Sequence, residues 1–189
     1  MRKKIFMVGL LGCMLLLSNK LFAGVETPKT GDPLPEITLS VPEEPEHQKY
    51  LGLTNNGQFT IPQIKAKVVL IEFFSMYCPY CQDAAPRVNT FYSKIESNND
   101  LKNNIRLIGI GVGNSPYEVN VFKNKYNIGF PLFPDADFAI HKLVGEVRTP
   151  YFMGVKILED GTPTIFYSKL GGFEDVDKFL SLVVQLSGL

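Results

Sequence analysis

The sequence predicts an α/β sandwich, a central mixed sheet with helices on both faces, and three observations carry that reading. Apolar, β-branched runs at residues 68–74, 105–112 and 151–157 alternate with stretches of helical character, the pattern of strands joined by helical crossovers. A further run, residues 164–169, follows Glu159-Asp160-Gly161, and Asp-Gly between two apolar runs signals an antiparallel hairpin that makes the sheet mixed. With 45% hydrophobic and 12% aromatic residues, the chain supplies one sizeable core, and no internal repeat divides it.

Residues 1–23 are set apart from this domain. A basic start at Arg2 to Lys4, an apolar core from Ile5 to Leu17, a polar break and Ala23 form the layout of a secretory signal peptide cleaved after Ala23. The core is too short for a comfortable membrane span. Leu10-Leu11-Gly12-Cys13 resembles a bacterial lipobox, which would acylate Cys13 and tether the protein. The apolar run continues through Leu17 where a lipobox would give way to a polar spacer, so cleavage is favoured. A periplasmic or otherwise extracytoplasmic location is expected. The leader takes four of the 19 basic residues and no acid, leaving 15 against 19 and a net charge of −4. That balance gives no footprint for nucleic acid and no basic run suited to an anionic membrane surface.

The remaining elements read in order. Residues 24–35 form an extended lead-in, because Pro28, Pro33 and Pro35 oppose helix, and the folded domain spans 36–189. Residues 37–41 and 58–61 are short strands of an N-terminal hairpin, with Asn55-Asn56-Gly57 as its turn signal. The PEEPEHQ stretch at 42–48 is expected to be a solvated loop with His47 exposed. Residues 68–74 form a buried strand, and a helix runs from Pro79 to about residue 97 with Pro86 kinking it. The strand at 105–112 ends in Gly111-Val112-Gly113, which lacks the spacing of a dinucleotide or P-loop motif. A helix over 116–126 is capped by Ser115. Residues 130–133 are short and apolar, and 137–144 form one short helix on which His141 is a surface residue. Gly171-Gly172 breaks the chain after the hairpin, and 174–186 is an amphipathic closing helix with acids in its first turn.

Chemistry concentrates at Cys78-Pro79-Tyr80-Cys81, which falls at a strand-to-helix turn. Pro79 suits the first helical position and leaves Cys78 at the cap, facing unpaired N–H groups and the positive end of the helix dipole, where a thiolate is favoured. Cys81 lies one helical turn further and can close a disulfide with Cys78. Zinc would need four ligands, and the chain offers beyond this pair only Cys13 in the leader and two histidines, His47 and His141. Haem attachment would need histidine where Gln82 stands. A purely structural bridge would close too short a loop to stabilise much. Redox chemistry without a bound cofactor or metal is favoured over these readings. Glu72 is the one acid in an otherwise apolar strand, and a carboxyl there is expensive to bury without a task or a partner.

The string VVLIEFFSMYCPYC resembles the active-site strand and turn of thioredoxin-like proteins, and Arg148-Thr149-Pro150 resembles the family's threonine and cis-proline. The order of elements is similar to the extracytoplasmic TlpA-like thiol-disulfide oxidoreductases of the redoxin branch. The resemblance implies a thioredoxin-like three-layer sandwich in which Cys78 attacks and Cys81 resolves. It implies that Glu72 occupies the position of a buried proton-relaying acid, the alternatives being a structural salt bridge or an exposed edge position. Other relatives carry an acid three residues after the second cysteine, where this chain has Ala84 with Asp83 beside it. Thr149 and Pro150 would present backbone to an extended substrate, and Tyr77, Pro79 and Tyr80 would surround the sulfurs as a docking patch. Tyr77 stands where a tryptophan commonly precedes the first cysteine.

By the same resemblance, the expected function is reduction of protein disulfides, with apocytochrome c or an oxidase-assembly protein as partner, a membrane thiol donor as electron source, and a monomer as the working form. The Pro-Tyr pair between the cysteines is glutaredoxin-like and implies a potential on the order of −200 to −230 mV. Two alternatives stand beside this: a thiol peroxidase of the redoxin branch, whose P-x-x-x-[ST]-x-x-C setting is missing, and a binding module on the same scaffold.

The leader reading predicts that the mature chain begins at or close to Gly24. Intact-mass spectrometry of protein from its native host should show that start, and a diacylglycerol adduct on Cys13 would overturn it.

Overall fold

The computed structural model describes residues 26–54 and 56–189; the expected leader over 1–23, and Asn55 of the expected turn, lie outside them. The organising element is a strand of seven buried residues, Val68–Phe74. Strands buried on both faces read as continuous apolar runs, and this one is flanked on both sides. In chain order the strands are β1 (Thr38–Ser40), β2 (Gln58–Thr60), β3 (Val68–Phe74), β4 (Ile105–Val112), β5 (Leu132–Asp135), β6 (Tyr151–Ile157) and β7 (Pro163–Leu170). The helices are α1 (Pro45–Leu51), α2 (Pro79–Ser97), α3 (Asn99–Asn104), α4 (Pro116–Tyr126), α5 (Ala139–Leu143) and α6 (Val176–Ser187).

The main sheet has the order β5-β4-β3-β6-β7. β3 pairs β4 in parallel and β6 antiparallel, β4 pairs β5 in parallel, and β6 pairs β7 antiparallel. The mixed sheet with helices on both faces is therefore the observed architecture.

Alternation along β3 sorts its side chains between two cores. Val69, Ile71 and Phe73 join Phe59, Ile61, Ile140 and Val144 on the face covered by the N-terminal segment and α5. Val68, Leu70 and Phe74 join Cys81, Val88, Val119 and Phe179 under α2, α4 and α6. By the same alternation Glu72 points to the α2 face, beside its register partner Phe152 in that second core.

The helix α2 buries Cys81, Ala84, Ala85, Val88, Phe91 and Ile95, the three- and four-residue spacing of one helical stripe. Pro86 lies on its exposed side, so the ring meets solvent where it would otherwise crowd the core. The short helix α3 went unread because it buries no residue; Asn98 caps it, accepting from the Asp100 and Leu101 N–H groups. β5 sits two residues later than the apolar run that announced it, and tolerates Pro134 because it is an edge strand.

Two expectations need correction. The stretch read as a solvated loop over 42–48 contains the start of α1, which opens on Pro45, closes on Gly52 in the left-handed region and buries Leu51. Its density of charge and proline hid a helix with one buried residue, although proline at the start and glycine after the end are helix punctuation. His47 is correspondingly half-buried, with 14% of its side chain exposed, and stands 3.6 Å from Glu44. The N-terminal hairpin is present, with β1 and β2 paired antiparallel, but α1 occupies its connection. From residue 26 the lead-in runs along the edge of β7, where the Gly31 N–H bonds the Ile165 carbonyl at 2.8 Å and the Leu34 N–H bonds the Pro163 carbonyl at 2.8 Å. Among the described residues no helix is long and apolar enough to cross a membrane.

The closing helix is fixed to α2 by an aromatic cluster. Phe179 stacks on Phe173 at 4.1 Å between centroids and meets Phe91 at 5.1 Å, Tyr167 at 5.6 Å and Phe152 at 5.8 Å. Phe179→Ala should therefore cost about 3–5 kcal/mol, the range for deleting a buried aromatic ring. Urea unfolding should show a lower midpoint at unchanged slope, and a loss below about 1 kcal/mol would mean that α6 is not held through this ring.

Candidate active site

The site forms where β3 hands over to α2. Cys78 is the N-cap of α2, in extended backbone conformation with φ −80° and ψ 114°, and no side-chain oxygen caps this helix. Its carbonyl accepts from the Cys81 and Gln82 N–H groups at 3.1 Å, and its own N–H bonds the Ser75 carbonyl at 3.0 Å. The sulfur thus occupies the place of a capping oxygen, against the free N–H groups of the first turn. Burial by itself raises the Cys78 thiol, but the Thr149 side chain, the Cys81 thiol and the Cys81 and Tyr80 backbone N–H groups outweigh it and hold it below its ordinary range. Cys81 is fully buried, and that burial, reinforced by Cys78, pushes its thiol strongly upward. Both cysteines are free thiols, Cys78 half-buried and Cys81 enclosed.

Across from the dithiol lies the segment before β6. The Thr149-Pro150 peptide is cis, and the Thr149 carbonyl is 3.3 Å from the Cys78 sulfur. Tyr77 and Tyr80 are exposed at 66% and 76%, and Pro79 is exposed between them. The Tyr77 hydroxyl donates to Glu118 at the start of α4, and Glu118 also accepts from the Ser115 N–H at 2.7 Å. An open groove of about 520 Å³ runs past Thr149, lined among others by Ser75, Tyr77, Phe138, His141 and Glu146. His141 lines it from a half-buried position with Nε2 2.8 Å from the Val147 carbonyl, so its ring is engaged locally.

Glu72 is buried, 3% exposed, and its Oε1 has no hydrogen-bond partner. Desolvation pushes its carboxyl up to about 8. Neither the salt bridge nor the exposed edge position weighed from the sequence describes it. Among the described residues no cluster of three or more His, Cys, Asp or Glu could hold a metal ion.

Residues 30–165 match the sequence profile of the AhpC/TSA family. The chain belongs to the AhpC/TSA family. The chain is similar to the thiol-disulfide oxidoreductase ResA of Bacillus subtilis (strain 168), 24% identical over 119 residues that make up 63% of this chain and 57% of the relative. The match thus spans a little over half of that relative's length. The fold is similar to a secreted Mycobacterium tuberculosis disulfide oxidoreductase homologous to E. coli DsbE, with TM-score 0.54, 20% identity and coverage of 79% of this chain and 95% of that one. It is likewise similar to StoA from Bacillus subtilis, with TM-score 0.56, 18% identity and coverage of 79% and 98%. The structural likenesses show the thioredoxin-like fold, and the family match shows the redoxin membership, that the sequence suggested.

The structure gathers Cys78, Cys81, Tyr77, Pro79, Tyr80, Thr149 and Pro150 at one end of the sheet and sets Glu72 on the α2 face of β3. Sequence reading missed Tyr117, exposed at 77% beside the Tyr77 anchor Glu118, and Asn114, a fully buried polar residue that bonds the turn before Cys78. Ser115 was noticed only as a cap. The signal for its neighbours was the same capping box, in which Glu118 pairs with Ser115.

Glu72 gives the site a measurable pH signature. The folded chain keeps its proton up to about pH 8, whereas the unfolded chain releases it near the ordinary value of 4.5. Through that window the folded state binds more protons, so the stabilisation is full below pH 4.5 and is lost as pH rises through 8. The parent should lose about 1.4 kcal/mol per pH unit across the window relative to Glu72→Gln. Urea midpoints at a series of pH values will show it, and parallel curves for the two proteins would mean that Glu72 is not a buried neutral acid.

Proposed function

We propose that this protein is an exported thiol-disulfide oxidoreductase that reduces protein disulfides through Cys78. The observation that carries the reading is the asymmetry of the dithiol: a reachable, low-lying Cys78 at an uncapped helix N-terminus, and an enclosed, high-lying Cys81 one turn on. The Cys78 thiolate attacks one sulfur of a substrate disulfide, forms a mixed disulfide and expels the first substrate thiolate. Cys81 then gives up its proton and attacks the Cys78 sulfur, which releases the second substrate thiolate and leaves a Cys78-Cys81 disulfide. Glu72, whose carboxyl titrates at about 8 on the face that α2 covers, takes that proton through its ionised form in this direction and returns it in the other. A dithiol donor at the membrane reduces the Cys78-Cys81 bridge for the next cycle. Apocytochrome c or an oxidase-assembly protein is the partner class in this scheme. Extended substrate segments lie along Thr149 and Pro150, and Tyr77, Pro79 and Tyr80 flank the sulfur. The working form is a monomer without metal or cofactor.

The AhpC/TSA match favours one second reading, a thiol peroxidase. Against it, Ile71 within β3 stands where the peroxidase motif has proline, and a second cysteine follows one turn after the first. Peroxide consumption that is lost in Cys78→Ala would favour it over disulfide reduction.

In the native compartment, Cys81→Ala should accumulate covalent complexes with partner proteins while Cys78→Ala should not, because only the first keeps the nucleophile and loses the release route. Equal trapping by both would defeat the assignment of roles. In the same assay, Glu72→Gln should release substrate about 10² to 10⁴ times more slowly, and an unchanged rate would remove Glu72 from the mechanism. A reduction potential near −120 mV would reverse the direction and make the protein an oxidant.

A further inference from the structure

Two side-chain amides converge on the turn that joins β3 to α2, and no step above uses either. Gln82, in the first turn of α2, is half-buried, and Asn114, in the loop between β4 and α4, is fully buried. Gln82 Nε2 donates to the Met76 carbonyl at 2.8 Å, and Asn114 Oδ1 accepts the Met76 N–H at 2.8 Å. The Met76 N–H belongs to the Ser75-Met76 peptide and the Met76 carbonyl to the Met76-Tyr77 peptide, so the two amides hold successive peptides. Asn114 is itself fixed, its N–H bonding the Gly111 carbonyl at 3.1 Å and its Nδ2 donating to Ser75 Oγ at 3.3 Å. The register Phe74↔Gly111 explains the meeting: parallel pairing ends both strands side by side, so the turn after β3 and the loop after β4 become neighbours.

Both held peptides lead into Cys78. The Ser75 carbonyl, on the peptide whose N–H Asn114 holds, accepts the Cys78 N–H at 3.0 Å. That peptide is planar, and a bond to its N–H polarises its carbonyl, so the Asn114 and Cys78 bonds reinforce each other. Gln82 works from the other side. Its own N–H bonds the Cys78 carbonyl at 3.1 Å while its side chain reaches back to Met76, so one residue brackets Cys78. The backbone of Cys78 is thereby tied to the turn at its N–H and to the helix at its carbonyl, and its sulfur stands 3.3 Å from the Thr149 carbonyl.

We propose that Gln82 and Asn114 are positioning residues for Cys78: by holding successive peptides of the turn before it, they set its sulfur against the uncapped end of α2 and the Thr149 carbonyl. Both act through the backbone of Cys78 and not on the reacting atom. The proposal rests on the reading of Cys78 as the attacking thiol and adds two residues to it.

The test is alkylation of the reduced, full mature chain by iodoacetamide across a pH series, followed by intact mass. The Cys78 thiolate attacks the methylene carbon, the S–C bond forms and iodide leaves, so the rate follows the thiolate. Both amides are neutral, and their loss changes no charge near the sulfur. Gln82→Ala and Asn114→Ala should each raise the pH midpoint of alkylation by about 0.5 unit, about a threefold loss of thiolate below it. The double variant should stop within about 0.2 unit of the larger single shift, because releasing either peptide frees the same turn. Gln82→Met keeps the length of the side chain without the donor and should shift as far as Gln82→Ala. Phe179→Ala, destabilised away from the site, should keep the parent's midpoint, so loss of stability alone does not move the readout. If Asn114→Ala does not fold, the two Gln82 variants still decide. Unchanged midpoints in those variants, a parent-like midpoint in Gln82→Met, or fully additive shifts in the double variant would overturn the joint positioning role. A parent midpoint as high as that of free cysteine, about 8.5, would instead defeat the reading of Cys78 as the attacking thiolate, and the shifts relative to the parent would still decide the positioning role.

Discussion

The first turn of α2 presents backbone N–H groups that no side-chain oxygen caps, and the structure around it is arranged so that a sulfur takes them. Pro79 starts the helix without needing a donor partner, which leaves Cys78 at the junction. β3 delivers that junction to the sheet end, and the Thr149 carbonyl closes the far side at 3.3 Å. A serine or aspartate at the same position would satisfy the helix equally well. Cysteine satisfies it only weakly as a thiol and strongly as a thiolate, so the helix end and the reactive state stabilise each other.

Burial then separates the two sulfurs. Cys81 belongs to the same stripe of α2 that packs Ala84, Ala85, Val88 and Phe91 onto the sheet, so the periodicity that builds the core also removes the second thiol from water. Glu72 is removed by a different periodicity, the alternation of β3, which sends it to the face shared with α2. A fully apolar residue would be the more stable occupant of that position. The carboxyl lacks a partner for Oε1 and titrates at about 8, and a group kept neutral by desolvation near physiological pH is suited to passing protons.

Most of this was legible in the sequence where local signals and tertiary demands coincide. β3, β4, β6, α2 and α4 occupy the ranges read for them, because long apolar runs, proline at the first helical position and a serine cap all pointed the same way. α1 and α3 were missed because each buries one residue or none, so hydrophobic periodicity is silent and only cap residues speak. Asn114 and Glu118 were illegible for a stronger reason. Their importance depends on the parallel register that sets Gly111 beside Phe74, and no local pattern encodes which turn will neighbour which loop. Tyr77 could be read as an exposed aromatic, but its anchoring to Glu118 across the gap could not.

The enclosure of Cys81 has a consequence for traffic through the site. A sulfur that is fully buried cannot be approached by an outside thiol, so in the proposed cycle both the substrate and the electron donor would exchange through Cys78. Each must therefore seat against the same surroundings, the Thr149-Pro150 segment on one side and the exposed rings of Tyr77 and Tyr80 on the other. In the proposed cycle two partners that share one surface would bind in turn and not together, which would make the protein a shuttle between them. Recognition on such a surface has to be permissive. Backbone of the cis-proline segment and the faces of tyrosine rings offer hydrogen bonds and apolar area without demanding one side-chain sequence. Selection between the two partners then falls to the chemistry of the sulfur. Whichever form is present, dithiol or disulfide, reacts with only one of them, and the low-lying Cys78 thiolate and the proton held near Cys81 set how readily each form gives way to the other.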